Sequence, residues 1–350
     1  MDKLLKILSQ LRDQNGSDLH LCESHDPMIR IKGKLVASGY DLHGEEVRNA
    51  ILSMLGDRYK DRIADGKDID FTFAYHEDRY RVNVYWEREH LCAAVRVINH
   101  DIPTLEQLQM PPILKKLCSE QRGLIIVSGP TGSGKSTTLA SMVNEIQQNQ
   151  PVHILTIEDP IEYVYPQGKA MIHQREIERD VESFSGALRS AMREDPDVIL
   201  VGEMRDAETI SAAVTAAETG HLVLSTLHTM GAAKTIDRII DVFPPHKQDQ
   251  IRTQLSGVLK AVISQQLMLK EDNSGRIAVN EILIGSDAVH NLIRENKCHQ
   301  LGTLMQMGAS EGMHTLNRSL ANRIIDGSIA LESGLKASYD TNELMQYLNS

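Results

Sequence analysis

The 350-residue sequence is poor in aromatic side chains: Phe, Trp and Tyr make up only 4% of it. That scarcity argues against a stacking platform for single-stranded nucleic acid. Positive charge is also short, with 37 Lys and Arg against 48 Asp and Glu, a net charge of -11. Taken whole, such a chain is no electrostatic match for nucleic acid or an anionic membrane, and no nucleic-acid partner is expected. The four cysteines, Cys22, Cys92, Cys118 and Cys298, form no CxxC pair. Their spacing argues against a zinc ribbon and gives no disulfide framework, which leaves free thiols in a reducing cytoplasm. No apolar run approaches membrane-spanning length, and MDKLLKILSQLRDQNG is too polar for a signal peptide. A cytoplasmic location is expected. Asn317-Arg318-Ser319 then matches the glycosylation sequon by chance.

What is present is an ordinary globular composition, 41% hydrophobic and 24% charged, in a length that suits two or three domains. Leu4, Ile7, Leu8 and Leu11 recur at helical spacing, with Gly16 as a stop. Residues 19–21 and 28–31 read as strands, with Lys32-Gly33 as a turn after them, and 44–55 as a helix. FTFAYHEDRYRVNVYW reads as two alternating strands around a His76-Glu77-Asp78 turn, and 92–98 as a further strand. Residues 1–100 therefore form a small α+β module with an arginine-bearing sheet face. Pro103, Pro111 and Pro112 mark 101–121 as an inter-domain linker and leading helix. Apolar strands at 124–128, 153–158, 198–201 and 222–226 alternate with helical stretches, the pattern of a parallel α/β domain over 122–286. Residues 287–350 read as short helices, the last one started by an Asp340–Glu343 capping box.

The sharpest chemical signal is GLIIVSGPTGSGKSTTLASMV. It carries G-x-x-x-x-G-K-S at 129–136 between a strand and a helix, the context a phosphate loop needs. Gly129, Pro130, Thr131, Gly132, Ser133, Gly134, Lys135, Ser136 and Thr137 are the expected ATP-binding residues. Glycines let backbone amides turn toward phosphate oxygens, and the helix N-terminus adds its dipole. Lys135 is suited to the β- and γ-phosphates, and the Ser136 hydroxyl to Mg2+.

ILTIEDPIEY sets Glu158, Asp159 and Glu162 at a strand end, where ligands gather in parallel sheets; Glu158 or Asp159 is expected to support Mg2+, directly or through water. DVILVGEMRD ends a buried strand on Gly202-Glu203, where many phosphate-loop ATPases have Asp-Glu. Glu203 suits a water-activating base, with a salt bridge to Arg205 as the plainer reading. With Gly202 at the Asp position, either this is not an ATPase strand or the metal-binding carboxylate comes from elsewhere. TGHLVLSTLHT places His221 and His228 at opposite ends of an apolar strand, about 20 Å apart, too far to share a ligand. His228, beside Thr226 and Thr229, is the better phosphate sensor.

Taken in order, GPTGSGKST, ILTIEDPIEY, MREDPDVILVGEMRD and TGHLVLSTLHT resemble the phosphate loop, aspartate box, second nucleotide strand and histidine box of the type II/IV secretion ATPase superfamily. SDLHL, DRYRVN and AAVRVI resemble its PAS-like N-terminal domain. The stretch from Thr235 to Leu267 is similar to the type IV pilus retraction (twitching motility) group, as is AVHNLIRE. In AVHNLIRE, Val289 and His290 stand where the group's motif has Ile and Arg. The resemblance implies a PAS-like domain, a RecA-like ATPase core with a parallel-type central sheet and a helical C-terminal end. It further implies a homohexamer, with ATP between the two domains and beside the neighbouring subunit. Arg81 and Arg96 match the family's charge-neutralising arginines, Glu203 and the three acidic residues act on water and metal, and His228 and His221 report nucleotide state. Such a motor works at the inner-membrane base of the pilus machine on a platform protein, with an accessory retraction ATPase as a further partner. The alternatives are an accessory retraction ATPase, a pilus assembly or type II secretion ATPase, a nucleic-acid translocase, or a non-hydrolysing accessory subunit.

Overall fold

A computed structural model describes residues 2–31, 33–55, 57–75, 78–98 and 101–349. Lys32, His76 and Glu77, in the two expected turns, lie outside the described residues. The chain divides into two compact units, one of residues 1–101 with 160–164, the other of 102–159 with 165–350.

The first unit is built on a six-stranded antiparallel sheet of order β3-β2-β1-β6-β5-β4. Its strands are β1 (Gly16–Cys22), β2 (His25–Ile31), β3 (Lys34–Ala37), β4 (Ile69–Tyr75), β5 (Asp78–Glu87) and β6 (His90–Ile98). Leu4, Ile7, Leu8 and Leu11 all face inward from the helix Asp2–Asp13, as their spacing predicts. Asn15, not Gly16, takes the left-handed backbone that ends this segment, with φ 51°. Together with Val47, Ala50 and Ile51 of the helix Glu45–Leu55, these side chains cover Leu19, Leu21, Tyr80, Val82, Val84, Ala93 and Val95. The core thus lies on one face of the sheet, and the alternate residues of each strand form the other.

The second unit has a seven-stranded sheet of order β13-β12-β7-β11-β10-β8-β9. The strands are β7 (Gly123–Ser128), β8 (His153–Glu158), β9 (Met171–Glu176), β10 (Val198–Val201), β11 (Leu222–Leu227), β12 (Leu259–Leu269) and β13 (Arg276–Ile284). All neighbours are parallel except β12 and β13, which are antiparallel. Along β7, Leu124 and Ile126 enter one core, and Ile125 and Val127 the other. Burial on both faces explains why these strands read as unbroken apolar runs. Of the stretch 101–121, all but Asp101 belongs to this unit, where Leu105, Met110, Leu114 and Leu117 join the second of those cores. Beyond residue 286 the short helices span Asp287–Arg294, Leu301–Met307, Leu316–Ile325, Leu331–Ala337 and Thr341–Leu348. Asp340 caps the last by accepting from the amides of Asn342 and Glu343. Glu343 does not complete the box: its carboxylate accepts instead from Gln306 and Asn317. The sequon residue Asn317 is buried with its amide engaged, so it presents no glycosylation surface. Among the described residues no helix is long and apolar enough to cross a membrane.

Candidate nucleotide site

Four neighbouring parallel strands, β7, β11, β10 and β8, deliver four chemically distinct groups to one edge of the second sheet. Register fixes this, since Ser128 lies beside Leu227, Val201 beside Ser225, and Val201 beside Ile157. The C-terminal edge of a parallel sheet is the usual place for a ligand crevice.

The loop after β7 is a cradle whose glycines are required by geometry. Gly129 has φ +145°, and a Cβ there would lie 2.2 Å from the Gln265 carbonyl oxygen. Gly134, at φ 84°, ends the loop and caps the helix Lys135–Asn149. Lys135 is buried, and its ammonium donates to the carbonyls of Gly129 and Pro130 at 2.9 and 3.0 Å. The Ser133 hydroxyl is buried with no hydrogen-bond partner among the described residues. A buried hydroxyl without a partner is unfavourable by itself and suits an incoming acceptor. A glycine-shaped loop, a lysine and a helix N-terminus together make a donor set that fits a phosphorylated ligand. Ser136 is exposed on the first helical turn, and Thr131 and Gly132 are exposed at the loop tip.

A residue that motif reading misses holds this cradle. Gln265 of β12 is buried, donates to the Ser133 carbonyl at 2.6 Å, and accepts from Thr138 Oγ1 at 2.9 Å and Asn280 Nδ2 at 3.3 Å. It lies 132 positions from Ser133. Its only sequence signal is a short polar stretch, Ser264-Gln265-Gln266, between apolar residues.

Glu203 follows β10 and is engaged on both oxygens. One makes a short ion pair with the Arg205 guanidinium, and the other meets His228 Nε2 at 3.2 Å. The pairing raises the Arg205 pKa; its contact with Glu203 acts first, against desolvation, and the charge of Asp159 adds to it. The salt bridge and the strand-end carboxylate are therefore one arrangement rather than alternatives. Glu158 ends β8 with its carboxylate nearly buried, accepting from Thr156 Oγ1 at 2.7 Å and Gln174 Nε2 at 3.1 Å. Asp159 is exposed beside it. Gly202 has a steric reason: its amide donates to the Ile157 carbonyl at 2.8 Å, and a Cβ there would sit 3.3 Å from that oxygen.

The remaining expected residues are not delivered by these four strand ends. His221 is at the other end of β11, where its Nδ1 meets the Ala216 carbonyl at 2.9 Å and closes the helix Ala207–Glu218. Glu162 is exposed in 160–164, a segment of the first unit. Arg81 and Arg96 are direct cross-strand partners, and Asp18 and Thr72 extend their row over four strands. Each arginine has its own carboxylate: Arg81 donates to Asp70, and Arg96 to Asp18 at 2.8 Å. Burial pushes the Asp18 carboxyl up, but the Ser17 hydroxyl and Arg96 outweigh it and hold the pKa below its ordinary value.

Comparison with known proteins agrees with this geometry. The type II/IV secretion system protein family matches residues 6–336. A twitching motility protein of Neisseria gonorrhoeae is 47% identical over 91% of this chain and 86% of its own length. The type IV pilus retraction ATPase PilT of Pseudomonas aeruginosa is 45% identical over 94% and 96%. A crystal structure of the pilus retraction motor PilT with bound ADP superposes with a TM-score of 0.91 at 43% identity, covering 98% of both chains. The chain belongs to the type II/IV secretion protein family. It is an ATP hydrolase, with an N-terminal domain and an ATPase domain as that fold requires.

Proposed function

We propose that this chain is a homohexameric motor that hydrolyses ATP to power type IV pilus retraction, acting at the inner-membrane base of the pilus on a platform protein. The observation that carries the hydrolytic half is the shared strand edge, with the Lys135 loop, the Glu203–His228 pair and Glu158 on adjacent strands. The near full-length likeness to retraction ATPases supports the other half.

In this reading the loop amides, the Ser133 hydroxyl and Lys135 hold the phosphates, Lys135 exchanging two carbonyl partners for phosphate oxygens. Ser136 holds Mg2+, with Glu158 or Asp159 supporting it directly or through water. The metal supplies neutralisation of charge on the phosphate oxygens. Glu203 takes the proton of the attacking water, which requires it to loosen from Arg205. His228 shares the Glu203 carboxylate, so it is suited to couple the state of the phosphates to the base. Arg81 and Arg96 neutralise developing charge after release from Asp70 and Asp18. His221 is assigned a structural part, and an accessory ATPase is a further partner.

A deletion strain tests the retraction assignment: pilus fibres should persist, in excess, while twitching is lost. Loss of fibres would assign the chain to pilus assembly instead.

A further inference from the structure

The first unit contains two thiols that the nucleotide chemistry does not use. Cys22 and Cys92 are direct cross-strand partners at the ends of β1 and β6, with their sulfurs 2.7 Å apart. The next rung is hydrogen-bonded, Glu23 amide to Leu91 carbonyl at 3.3 Å, so the cysteine rung is of the non-hydrogen-bonded kind. Such rungs hold Cα atoms about 4.5 Å apart, within the span that a disulfide bridges.

The two thiols differ in reactivity. Cys22 is half-buried, whereas Cys92 is buried. The Cys22 sulfur also meets Ser24 Oγ at 3.1 Å, and that hydroxyl meets His25 Nδ1 at 2.6 Å, a hydrogen-bonded route to an exposed imidazole. Burial acts to raise the Cys22 pKa, but bonds with Cys92, Ser24 and His25 outweigh it and lower the pKa. Burial, and then the neighbouring Cys22, push Cys92 up to about 12. An accessible thiol with a lowered pKa, backed by a buried partner, is the arrangement of a redox pair. Cys118 and Cys298 show the contrast: each is buried and pushed up to about 12, chiefly by desolvation.

We propose that Cys22 and Cys92 are a modification site, closing to a reversible intramolecular disulfide by exchange with a low-molecular-weight disulfide of the glutathione class. The Cys22 thiolate attacks one sulfur of that disulfide, forming a mixed disulfide and releasing one thiol. Cys92, losing its proton to solvent, then attacks Cys22 and displaces the second thiol. Two protein thiols are oxidised and one small disulfide is reduced to two thiols, so electrons and protons balance. The Asp18–Arg96 rung lies four residues along the same strand pair, on the same sheet face. Oxidation would therefore staple the strands that carry Arg96.

The full chain is incubated with oxidised glutathione and followed by intact mass and peptide mapping. The expected wild-type product has lost two hydrogens, carries no adduct, links the Cys22 and Cys92 peptides, and reverts with dithiothreitol. In C92S one glutathione should stay on Cys22; in C22S neither site should react. The wild-type measurement alone overturns the proposal if there is no reaction, a persistent adduct, or a link to Cys118, Cys298 or a second chain. Stoichiometric zinc retained against dialysis would overturn it in favour of a metal site using Glu87, whose carboxylate lies 4.0 Å from the Cys22 sulfur.

Discussion

The two sheets present chemistry in opposite ways. In the second unit both faces are buried, and reactive groups emerge only from strand ends, as Lys135, Glu158, Glu203 and His228 do. In the first unit one face is buried and the other carries its polar groups mid-strand, as the row Asp18, Arg96, Arg81 and Thr72 does. Strand ends concentrate a site along a few consecutive residues, because the loop that follows each strand is free to vary. A sheet face assembles its row from residues far apart in the chain. Groups at the strand edge also differ among themselves: the Ser133 hydroxyl has no partner among the described residues, while Glu203 is held on both oxygens.

The largest test of this contrast removes the charge at the strand edge. Lys135→Ala should lower ATP turnover by about a thousandfold, since the lysine stabilises charge that develops on the transferred phosphoryl group. Arg96→Ala, measured the same way, should lower it by roughly a hundredfold, less than single-finger enzymes lose because Arg81 stands beside it. Unchanged turnover would make the first sheet's polar face a set of surface ion pairs, worth little in stability or rate. Gln265→Ala probes the support behind the cradle. It removes the bonds that Gln265 makes with the Ser133 carbonyl, the Thr138 hydroxyl and the Asn280 side-chain amide, a loss of about 2 kcal/mol. In a unit of this size, that corresponds to a fall in Tm of roughly 4–8 °C. Nucleotide affinity should weaken alongside, and a variant with wild-type Tm and affinity would remove Gln265 from the account.

The smallest effect concerns pH. Burial lowers the His314 pKa from 6.5, against hydrogen bonds with Gly312 and Asn280 that favour the charged form. Because the unfolded chain takes up this proton first, the contribution is present above pH 6.5 and lost as pH falls through the folded value. Thermal melts from pH 7 to 5 should fall less steeply for His314→Gln than for wild type. Parallel curves would show that this histidine is not the group responsible.

The strand-edge site was largely legible because its residues sit in contiguous motifs. The four apolar strands of the second sheet fell within one residue of their expected limits for the same reason: burial on both faces leaves no ambiguity of period. β9 escaped notice because this edge strand, MIHQRE, is mostly polar. β12 escaped because the helix Pro245–Val258 runs into it at Leu259 with no glycine or proline between them. Gln265 was therefore invisible as a site residue: its role depends on a strand that was not foreseen. His221 stands at the end of β11 opposite His228, as the spacing of the two histidines led one to expect. Gly202 became intelligible only with the neighbouring strand in place, whose Ile157 carbonyl leaves little room for a side chain. The Arg81–Arg96 rung was legible as an arginine-bearing face, but the aspartates that hold it required the register.

The central claim is that Glu203 is the base of an ATP-hydrolysing motor. Steady-state phosphate release from the purified full chain and from Glu203→Gln tests it most directly. The account predicts magnesium-dependent turnover by wild type and a loss of about a hundredfold or more in the variant, with ATP still bound. Equal rates in the two proteins, or no turnover by wild type, would contradict it.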